Sequence, residues 1–168
     1  KSVFEGCGLT SIDFTQFHSL QIIGEKAFFR SELKTLDFTQ SVDLSSIGLQ
    51  AFSKCPELTI IDFSGNSNLR SLGRAIFSDC SNLTSVNFTN CSSLQEINIH
   101  SFSKTGKLTN VNFTNCSSIT KIDEFAFLES GIKDLVLSDL SELKDMYQGA
   151  FGDCNAIERM ILSNCSKL

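Results

Sequence analysis

The segment Leu83-Thr-Ser-Val86-Asn-Phe88-Thr-Asn-Cys91 returns 25 residues later as Leu108-Thr-Asn-Val111-Asn-Phe113-Thr-Asn-Cys116. Related segments begin at residues 9, 33, 58, 83, 108, 132 and 157, in steps of 24 or 25 residues. Self-similarity at this period indicates a solenoid, because one such repeat cannot bury its apolar face alone and must stack on its neighbours. We therefore expect residues 1–168 to form a single array of about seven repeats.

The first part of each repeat has the pattern of a half-buried strand. Counting the repeat start as position zero, position three is apolar in all seven copies and position five is Phe or Leu. Polar residues alternate with these two positions, as in Thr84-Ser-Val-Asn-Phe-Thr89, and a period of two is typical of a strand with one buried face. The sequence predicts one strand per repeat, all in a parallel sheet that lines the concave side.

The second part of each repeat ends at an invariant aromatic residue. Position nineteen is occupied by Phe28, Phe52, Phe77, Phe102, Phe127 and Phe151. Such a fixed column indicates a stacked core rather than a cofactor site. The segment before it is too short for a long helix, so we expect a single helical or 3₁₀ turn on the convex side.

Turn-forming residues precede that aromatic column. Position fifteen is Gly24, Gly48, Gly73, Asn98 and Asp123 in successive repeats, and Tyr147 is the exception. Because Gly, Asn and Asp tolerate a left-handed backbone, we expect a tight left-handed turn at this position.

Two motifs relate the chain to a known family. The strand segments follow L-x-x-L-x-L-x-x-N/C-x-L, and Leu44-Ser-Ser-Ile47-Gly48-Leu-Gln-Ala51-Phe52-Ser-Lys-Cys55 is the fullest copy of the second motif. In both motifs the chain resembles the BspA-like leucine-rich repeat proteins, a class of surface proteins of bacteria and protists. One departure is that Thr, Ser or Asn stands where many class members place a proline after the strand. The resemblance implies an α/β repeat fold, a leucine-rich-repeat solenoid with a parallel sheet on the concave side and short helical or 3₁₀ turns on the convex side.

Composition excludes some classes of function. A net charge of -5 and a pI near 5.0 argue against nucleic-acid binding, which needs a basic stripe. No apolar run approaches the eighteen residues of a membrane span. The chain opens and stops within a repeat, so we expect it to be a fragment of a longer repeat protein.

No motif for catalysis or for a cofactor is present in the sequence. His18 and His100 occupy different repeat positions, and there is no Gly-rich phosphate loop or zinc signature. The seven cysteines fall at repeat positions eight and twenty-two without a CxxC, which favours buried thiols that fill space. A disulfide between stacked neighbours, Cys55–Cys80 or Cys91–Cys116, is the alternative. We predict a non-enzymatic protein with no catalytic residue, metal or cofactor.

The polar side of the strands is the candidate binding face. Position four carries Asp13, Asp37, Asp62, Asn87 and Asn112, and position six carries Thr39, Thr89 and Thr114 among other hydroxyl residues. Stacked carboxylates repel one another by about 1 kcal/mol per adjacent pair in water, so an opposite charge on a partner would be favoured. The alternative is a solvated polar face without a ligand.

The resemblance implies a module that binds other proteins, as in adhesion of a cell to a host surface or matrix. The expected partner is a protein, basic or exposed on a host surface, and the expected location is the cell surface or the medium. An intracellular interaction scaffold, located in the cytoplasm, is the alternative, and a structural spacer without a ligand is a third. The sequence leaves the oligomeric state open.

Overall fold

A computed structural model describes residues 2–168 as a parallel β-solenoid of about six turns. The strands in this range are β1 Ile22–Ile23, β2 Thr35–Asp37, β3 Ser46–Ile47, β4 Ile60–Asp62, β5 Ser71–Leu72, β6 Ser85–Asn87, β7 Glu96–Ile97, β8 Asn110–Asn112, β9 Lys121–Ile122, β10 Asp134–Ser138, β11 Asp145–Met146 and β12 Arg159–Ser163. Every pairing between them is parallel and joins residues one repeat apart.

The predicted parallel strands are confirmed in six of the seven repeats, but within residues 2–168 the repeat that starts at residue 9 has none, and the strands form two sheets instead of the predicted single sheet. A second strand in each complete repeat was missed. The even-numbered strands are the predicted ones and pair in the orders β2-β4-β6-β8 and β10-β12. Their exposed side chains, at repeat positions two, four and six, form what we call the front face. The odd-numbered strands pair as β1-β3-β5 and β7-β9-β11. Each has only two residues, too few for a period to be read from sequence.

The expectation of helical or 3₁₀ turns on the convex side is wrong. Residues 2–168 contain no helix, so the α component of the predicted α/β class is also wrong. Positions seventeen and twenty-one are left-handed in successive repeats, for example Lys26 (φ 53°) and Arg30 (φ 58°), and a left-handed residue every fourth position interrupts any helix. The amides pair between repeats instead: Phe28 N–H donates to the Ala51 carbonyl at 2.8 Å.

The predicted left-handed turn at position fifteen is also wrong. Glycine there is needed for close approach, because a Cβ on Gly73 would lie 2.4 Å from the carbonyl oxygen of Gly48. Left-handed Gly, Asn and Asp residues do occur, but at position seven: Gly65, Asn90, Asn115, Asp139 and Asn164. The expectation that Gly, Asn and Asp mark a left-handed turn therefore holds at position seven, whereas we expected that turn at position fifteen.

Stacked phenylalanine rings form the core. Along position nineteen, neighbouring ring centroids from Phe28 to Phe151 are 4.9–5.8 Å apart. The predicted buried column is confirmed for all members except Phe151, which is half-buried. A second column at position five packs against the first, as in the contact of Phe38 with Phe52 at 6.0 Å. Each turn of the solenoid therefore packs its side chains at positions five and nineteen against the equivalent side chains of the preceding and following repeats.

The front-face strands are interrupted where the repeat is one residue short. Only two steps between repeat starts measure 24 residues, from 9 to 33 and from 108 to 132. No strand is present at residues 10–14 to pair with β2, and no ladder joins β8 to β10 within residues 2–168. In both cases the missing residue belongs to the corner just before the strand. The shorter corner displaces the following strand from the register that a 25-residue repeat maintains.

The odd-numbered strands, which we call the second strand column, are interrupted between β5 and β7. At this point position fifteen of the repeat changes from Gly73 to Asn98. The backbone amides of Gly48 and Gly73 donate to the preceding repeat's carbonyl groups at 2.8 and 2.7 Å. In the next repeat the side-chain amide of Asn98 donates to the Leu72 carbonyl at 3.0 Å. The side chain thus reaches the carbonyl that the preceding glycines reach with their backbone, at the boundary between β5 and β7.

Candidate functional site

The position-four residues of the front face have a structural role that sequence reasoning missed. The Oδ1 atom of Asp13, Asp37, Asp62, Asn87 and Asn112 accepts the backbone N–H of the residue two places later, at 2.8–3.0 Å. This side-chain turn mimics a backbone turn and ends the strand. Strands β2, β4, β6 and β8 all end at this residue. The signal in the sequence is the recurrence of Asp or Asn followed two residues later by Ser or Thr.

The threonines at position six complete these turns. In the amide repeats, the hydroxyls of Thr89 and Thr114 each donate to the preceding asparagine Oδ1 at 2.7 Å. Thr39 is half-buried beside Asp37, and its backbone N–H is the donor there. The front face is therefore built of short hydrogen-bonded turns, which hold the polar groups in fixed positions.

The carboxylates of the front face are at least partly accessible to solvent. Hydrogen bonds from the Thr15 backbone N–H and then from its hydroxyl lower the pKa of Asp13 below its usual value of 3.8. Asp13 and Asp37 are exposed and Asp62 is half-buried. The register places Asp37 directly beside Asp62 in neighbouring strands. Two negative charges thus lie side by side at one end of the front face, and the amides of Asn87 and Asn112 continue the column.

The C-terminal part of the front face is built differently. Val136 and Ile161 occupy position four there, with no side-chain oxygen to form the turn. Strands β10 and β12 run two residues further, to Ser138 and Ser163, whose hydroxyls lie 2.7 Å apart. Val136 is exposed to 43%. The change at position four from Asp and Asn to apolar side chains thus coincides with a change in strand length.

A cavity lies where these two parts meet. It measures about 240 Å³ and separates β8 from β10. We call it the notch, and it is lined by Asn110, Val111, Asn112, Phe113, Thr114, Asp134, Val136, Ser138 and Asp139. Val111 is 8% exposed, whereas Val86 at the same position in the preceding repeat is fully buried. Sequence reasoning missed the notch, and its signal was the 24-residue step before residue 132.

The seven cysteines are free thiols with a shared structural role. The thiols of Cys55, Cys80 and Cys154 each donate to the backbone carbonyl of a position-nineteen Phe in the preceding repeat at 2.9–3.1 Å. Cys91 and Cys116 make the same bond to position-five Phe residues. Burial raises the pKa of Cys116 to about 12, which keeps this thiol protonated. These side chains therefore satisfy core carbonyl groups and contribute nothing reactive to the front face.

Ion pairs outside the front face also have local roles. Lys121 contacts Glu96 at 2.8 Å and Asp123 at 3.0 Å along the second strand column. Hydrogen bonds to Glu96 and then to Asp123 raise the pKa of Lys121. The pair of Lys121 with Glu96 joins neighbouring strands in register and stabilises the stacking of repeats, whereas the pair with Asp123 lies within one repeat. At this partly exposed surface each pair contributes about 0–1 kcal/mol.

Among residues 2–168, no three His, Cys, Asp or Glu side chains converge as metal ligands. The same range contains no helix that could cross a membrane. The front face offers hydrogen-bonding groups, two neighbouring carboxylates and the notch, all of which are accessible to another molecule.

Comparison with known proteins agrees with this architecture. A family model described as BspA type leucine rich repeat region matches in six copies, over residues 1–119 and 90–168. No curated protein sequence is significantly similar to the chain.

Solved structures are similar to the chain at low sequence identity. A leucine rich cell surface protein from Faecalibacterium prausnitzii is 21% identical, with a TM-score of 0.55 over 86% of this chain and 43% of that one. A leucine-rich repeat protein from Bacteroides ovatus is 19% identical, with a TM-score of 0.48 over 90% of this chain and 40% of that one. The chain thus spans less than half the length of either structure.

Proposed function

The chain belongs to the BspA-type leucine-rich repeat family, and from that premise we propose that it is a non-enzymatic module that binds another protein through its front face. The family's repeats form protein-binding modules in general. The observation that carries the proposal is the column of position-four turns across five repeats. Four of them are in register in neighbouring strands, so their carboxylate and amide groups are evenly spaced: Asp37, Asp62, Asn87 and Asn112. Groups already held by hydrogen bonds lose little freedom when a partner binds.

The proposed role is adhesion at the cell surface, to a host cell or matrix. It is supported by the family membership and by the similarity to the Faecalibacterium protein, which is itself described as a cell surface protein. Location at the surface or in the medium follows from the same role. An intracellular scaffold is the second candidate, favoured by seven free thiols, since exported proteins commonly oxidise theirs.

The proposed partner presents a basic surface to Asp13, Asp37 and Asp62. Asp37 and Asp62 are adjacent in register, and no cation pairs with these three carboxylates among the described ion pairs of residues 2–168. Each carboxylate already uses Oδ1 for its own turn, so its charge is oriented by the backbone. Charges of this kind act mainly on the rate of association and on its dependence on salt.

The test replaces all three aspartates with asparagine. Because Asn87 and Asn112 already form the same turn, Asp13→Asn, Asp37→Asn and Asp62→Asn should leave the fold intact and remove only charge. Beads coated with the chain are allowed to attach to cultured epithelial cells and to immobilised matrix proteins over a range of salt concentrations. We expect the triple variant to attach less at low salt, with a flatter dependence on salt.

A matched control carries the same change of charge elsewhere. Asp43, Asp145 and Asp153 are exposed and lie outside the front face, so their triple replacement with asparagine should leave attachment unchanged. Equal loss in both variants would show that net charge alone matters. Attachment that is unaffected by the front-face variant would place the binding surface on the turn side or at the edges.

A further inference from the structure

We propose that the notch between β8 and β10 receives a single arginine or lysine side chain from a basic loop of the partner protein. The inference rests on the proposed function, because the notch opens on the front face and would fix the position of a bound partner there. The basis for it is the composition of the notch, its charge and the open strand edges on its two sides.

The notch combines apolar and polar lining in a way that suits a long cationic side chain. Val111 of β8 and Phe113, the residue after β8, belong to the core columns, and Val136 adds an apolar group from β10. Asn110 and Asp134 bring polar groups to the same cavity. Arginine and lysine bury an apolar stem against such surfaces and keep the charged end among polar groups. A purely apolar side chain would leave the polar groups without partners.

The charge of the notch is negative. Its lining includes Asp134 and Asp139 and no lysine or arginine. Each carboxylate uses Oδ1 in a contact with the next repeat, Asp134 with Arg159 Nε at 2.9 Å and Asp139 with Asn164 Nδ2 at 2.6 Å. The side chains of Arg159 and Asp134 are 62% and 52% exposed, so this ion pair is weak and open to competition. A cation from a partner would compete with Arg159 for Asp134.

The strand edges on either side of the notch are open. β8 and β10 are neighbours in space, but no ladder joins them, whereas β6 pairs with β8 and β10 with β12 along their full lengths. Unpaired strand edges present N–H and C=O groups that another chain can use. A guanidinium group has five donors, and carbonyl oxygens at these edges are suitable acceptors.

The other short repeat forms no equivalent site. At the 9-to-33 step, the Lys34 backbone N–H still donates to the Thr10 carbonyl at 3.2 Å, so the two repeats remain connected at the start of the strand. At the notch, no corresponding backbone hydrogen bond from Lys133 to Thr109 is present within residues 2–168. A short repeat is therefore not sufficient for the notch, and the missing connection at the start of the strand distinguishes it.

The test uses a small probe and the chain alone. N-acetyl-arginine N-methylamide is titrated into isotope-labelled protein and followed by amide chemical shifts, with N-acetyl-norleucine N-methylamide as the uncharged comparison. We expect saturable shifts confined to residues 110–114 and 134–139 with the arginine probe and none with norleucine. The double variant Asp134→Asn and Asp139→Asn should weaken binding about tenfold, which corresponds to ~1.4 kcal/mol.

Two further variants test the competition and the geometry. Arg159→Gln removes the internal competitor and should tighten binding of the arginine probe. Insertion of one lysine between Gly131 and Ile132 restores a 25-residue repeat and should abolish binding, because it allows β8 and β10 to pair. Asp153→Asn, on the turn side, should leave the dissociation constant unchanged.

The outcomes separate the notch from the front face as a whole. Absence of saturable shifts, an equal response to norleucine, or an unchanged dissociation constant in the Asp134 and Asp139 variant would overturn the notch proposal. None of these results involves Asp13, Asp37 or Asp62, so the attachment test of the front face would stand. Loss of attachment in the front-face variant with no probe binding would retain the proposed function and reject the notch alone.

Discussion

The front face has two regions that differ in the type of residue at position four of the repeat. In β4, β6 and β8, Asp or Asn at position four accepts the N–H two residues later, and each strand has three residues. In β10 and β12, Val136 and Ile161 occupy that position, and each strand has five residues. The same backbone therefore either ends in a side-chain turn or continues as a strand, according to whether position four can accept a hydrogen bond.

This difference shows how the Asp and Asn side chains at position four affect the backbone. The side-chain turns satisfy backbone amides within the repeat, and the five-residue strands satisfy them between repeats. Polar groups in the first region are consequently fixed, whereas the second region leaves Val136 exposed beside the notch. Both regions rest on the same stacked aromatic core, so differences between them can be tested against a common reference.

The largest expected effect concerns the core beneath the two regions. Phe77 is fully buried between the rings of Phe52 and Phe102, at 5.8 and 5.4 Å. Phe77→Ala should lower the free energy of unfolding by about 3–5 kcal/mol, since it leaves a cavity in the middle of the column. Phe151 is half-buried near the C-terminal end, so Phe151→Ala should cost clearly less. Chemical denaturation, monitored by circular dichroism, measures the free energy of unfolding of both variants.

Equal losses at the two positions would contradict this comparison. They would indicate that the column unfolds as one unit in which local burial does not determine the cost. In a solenoid, stability is approximately a sum of repeat and nearest-neighbour contributions, which predicts unequal losses.

An intermediate effect is expected at the corner that separates the two regions. A Cβ on Gly131 would lie 2.2 Å from the carbonyl oxygen of Gly106, a contact with rigid backbone. Gly131→Ala should therefore cost about 1–3 kcal/mol, the usual penalty for overpacking. Gly106 is the matched control, since a Cβ there meets nothing within 4 Å.

The two alanine variants are compared by thermal unfolding of each protein. Gly106→Ala should be nearly neutral or slightly stabilising, because alanine restricts the unfolded chain. A loss of similar size in both variants would mean that the close approach of the two corners does not account for the effect. A neutral Gly131→Ala would mean that the corner can shift to accommodate a methyl group.

The sequence predicted the solenoid, the parallel front-face strands and the buried aromatic column because each rests on a side chain that recurs at a fixed position. Phe52 and Phe77 recur in this way, and burial follows from the period alone. The second strand column could not be predicted, since a two-residue strand such as Ser71–Leu72 has no period of its own. The absence of helix depends on left-handed residues as ordinary as Lys26, which no propensity identifies.

The sequence predicted which residues of the candidate site are exposed, but not their hydrogen bonds and not the notch. The alternation of polar and apolar residues places Asp37 and Asn87 on the exposed side of a strand, and the structure places them there. Their hydrogen bonds to the backbone depend on turn geometry, which composition does not reveal. The notch depends on the missing ladder between β8 and β10, which begin 24 residues apart, and the sequence does not reveal that Asp139 lines it.

The smallest effect is expected from exchanging the residues that distinguish the two regions. Asn87→Val removes the oxygen that accepts both the backbone N–H and the hydroxyl of Thr89, at 3.0 and 2.7 Å. The loss should be about 0.5–1.5 kcal/mol, the net value of a hydrogen bond in a protein. Asn87→Asp is the matched control, because it keeps the acceptor oxygen that Asp62 uses for the same turn in the neighbouring repeat. It should be nearly neutral in high salt, which screens the repulsion between the new carboxylate and Asp62 beside it.

The reverse exchange tests whether position four determines the length of the strand. Val136→Asn supplies an oxygen that can accept the Ser138 backbone N–H, so β10 should shorten toward the three residues of β8. Hydrogen exchange over residues 136–139 measures this directly: protection that depends on pairing with β12 should decrease beyond residue 136. Unchanged protection would mean that pairing with β12, and not the residue at position four, sets the end of the strand. If Asn87→Asp costs as much as Asn87→Val, the acceptor oxygen is not the reason that the three-residue strands end where they do.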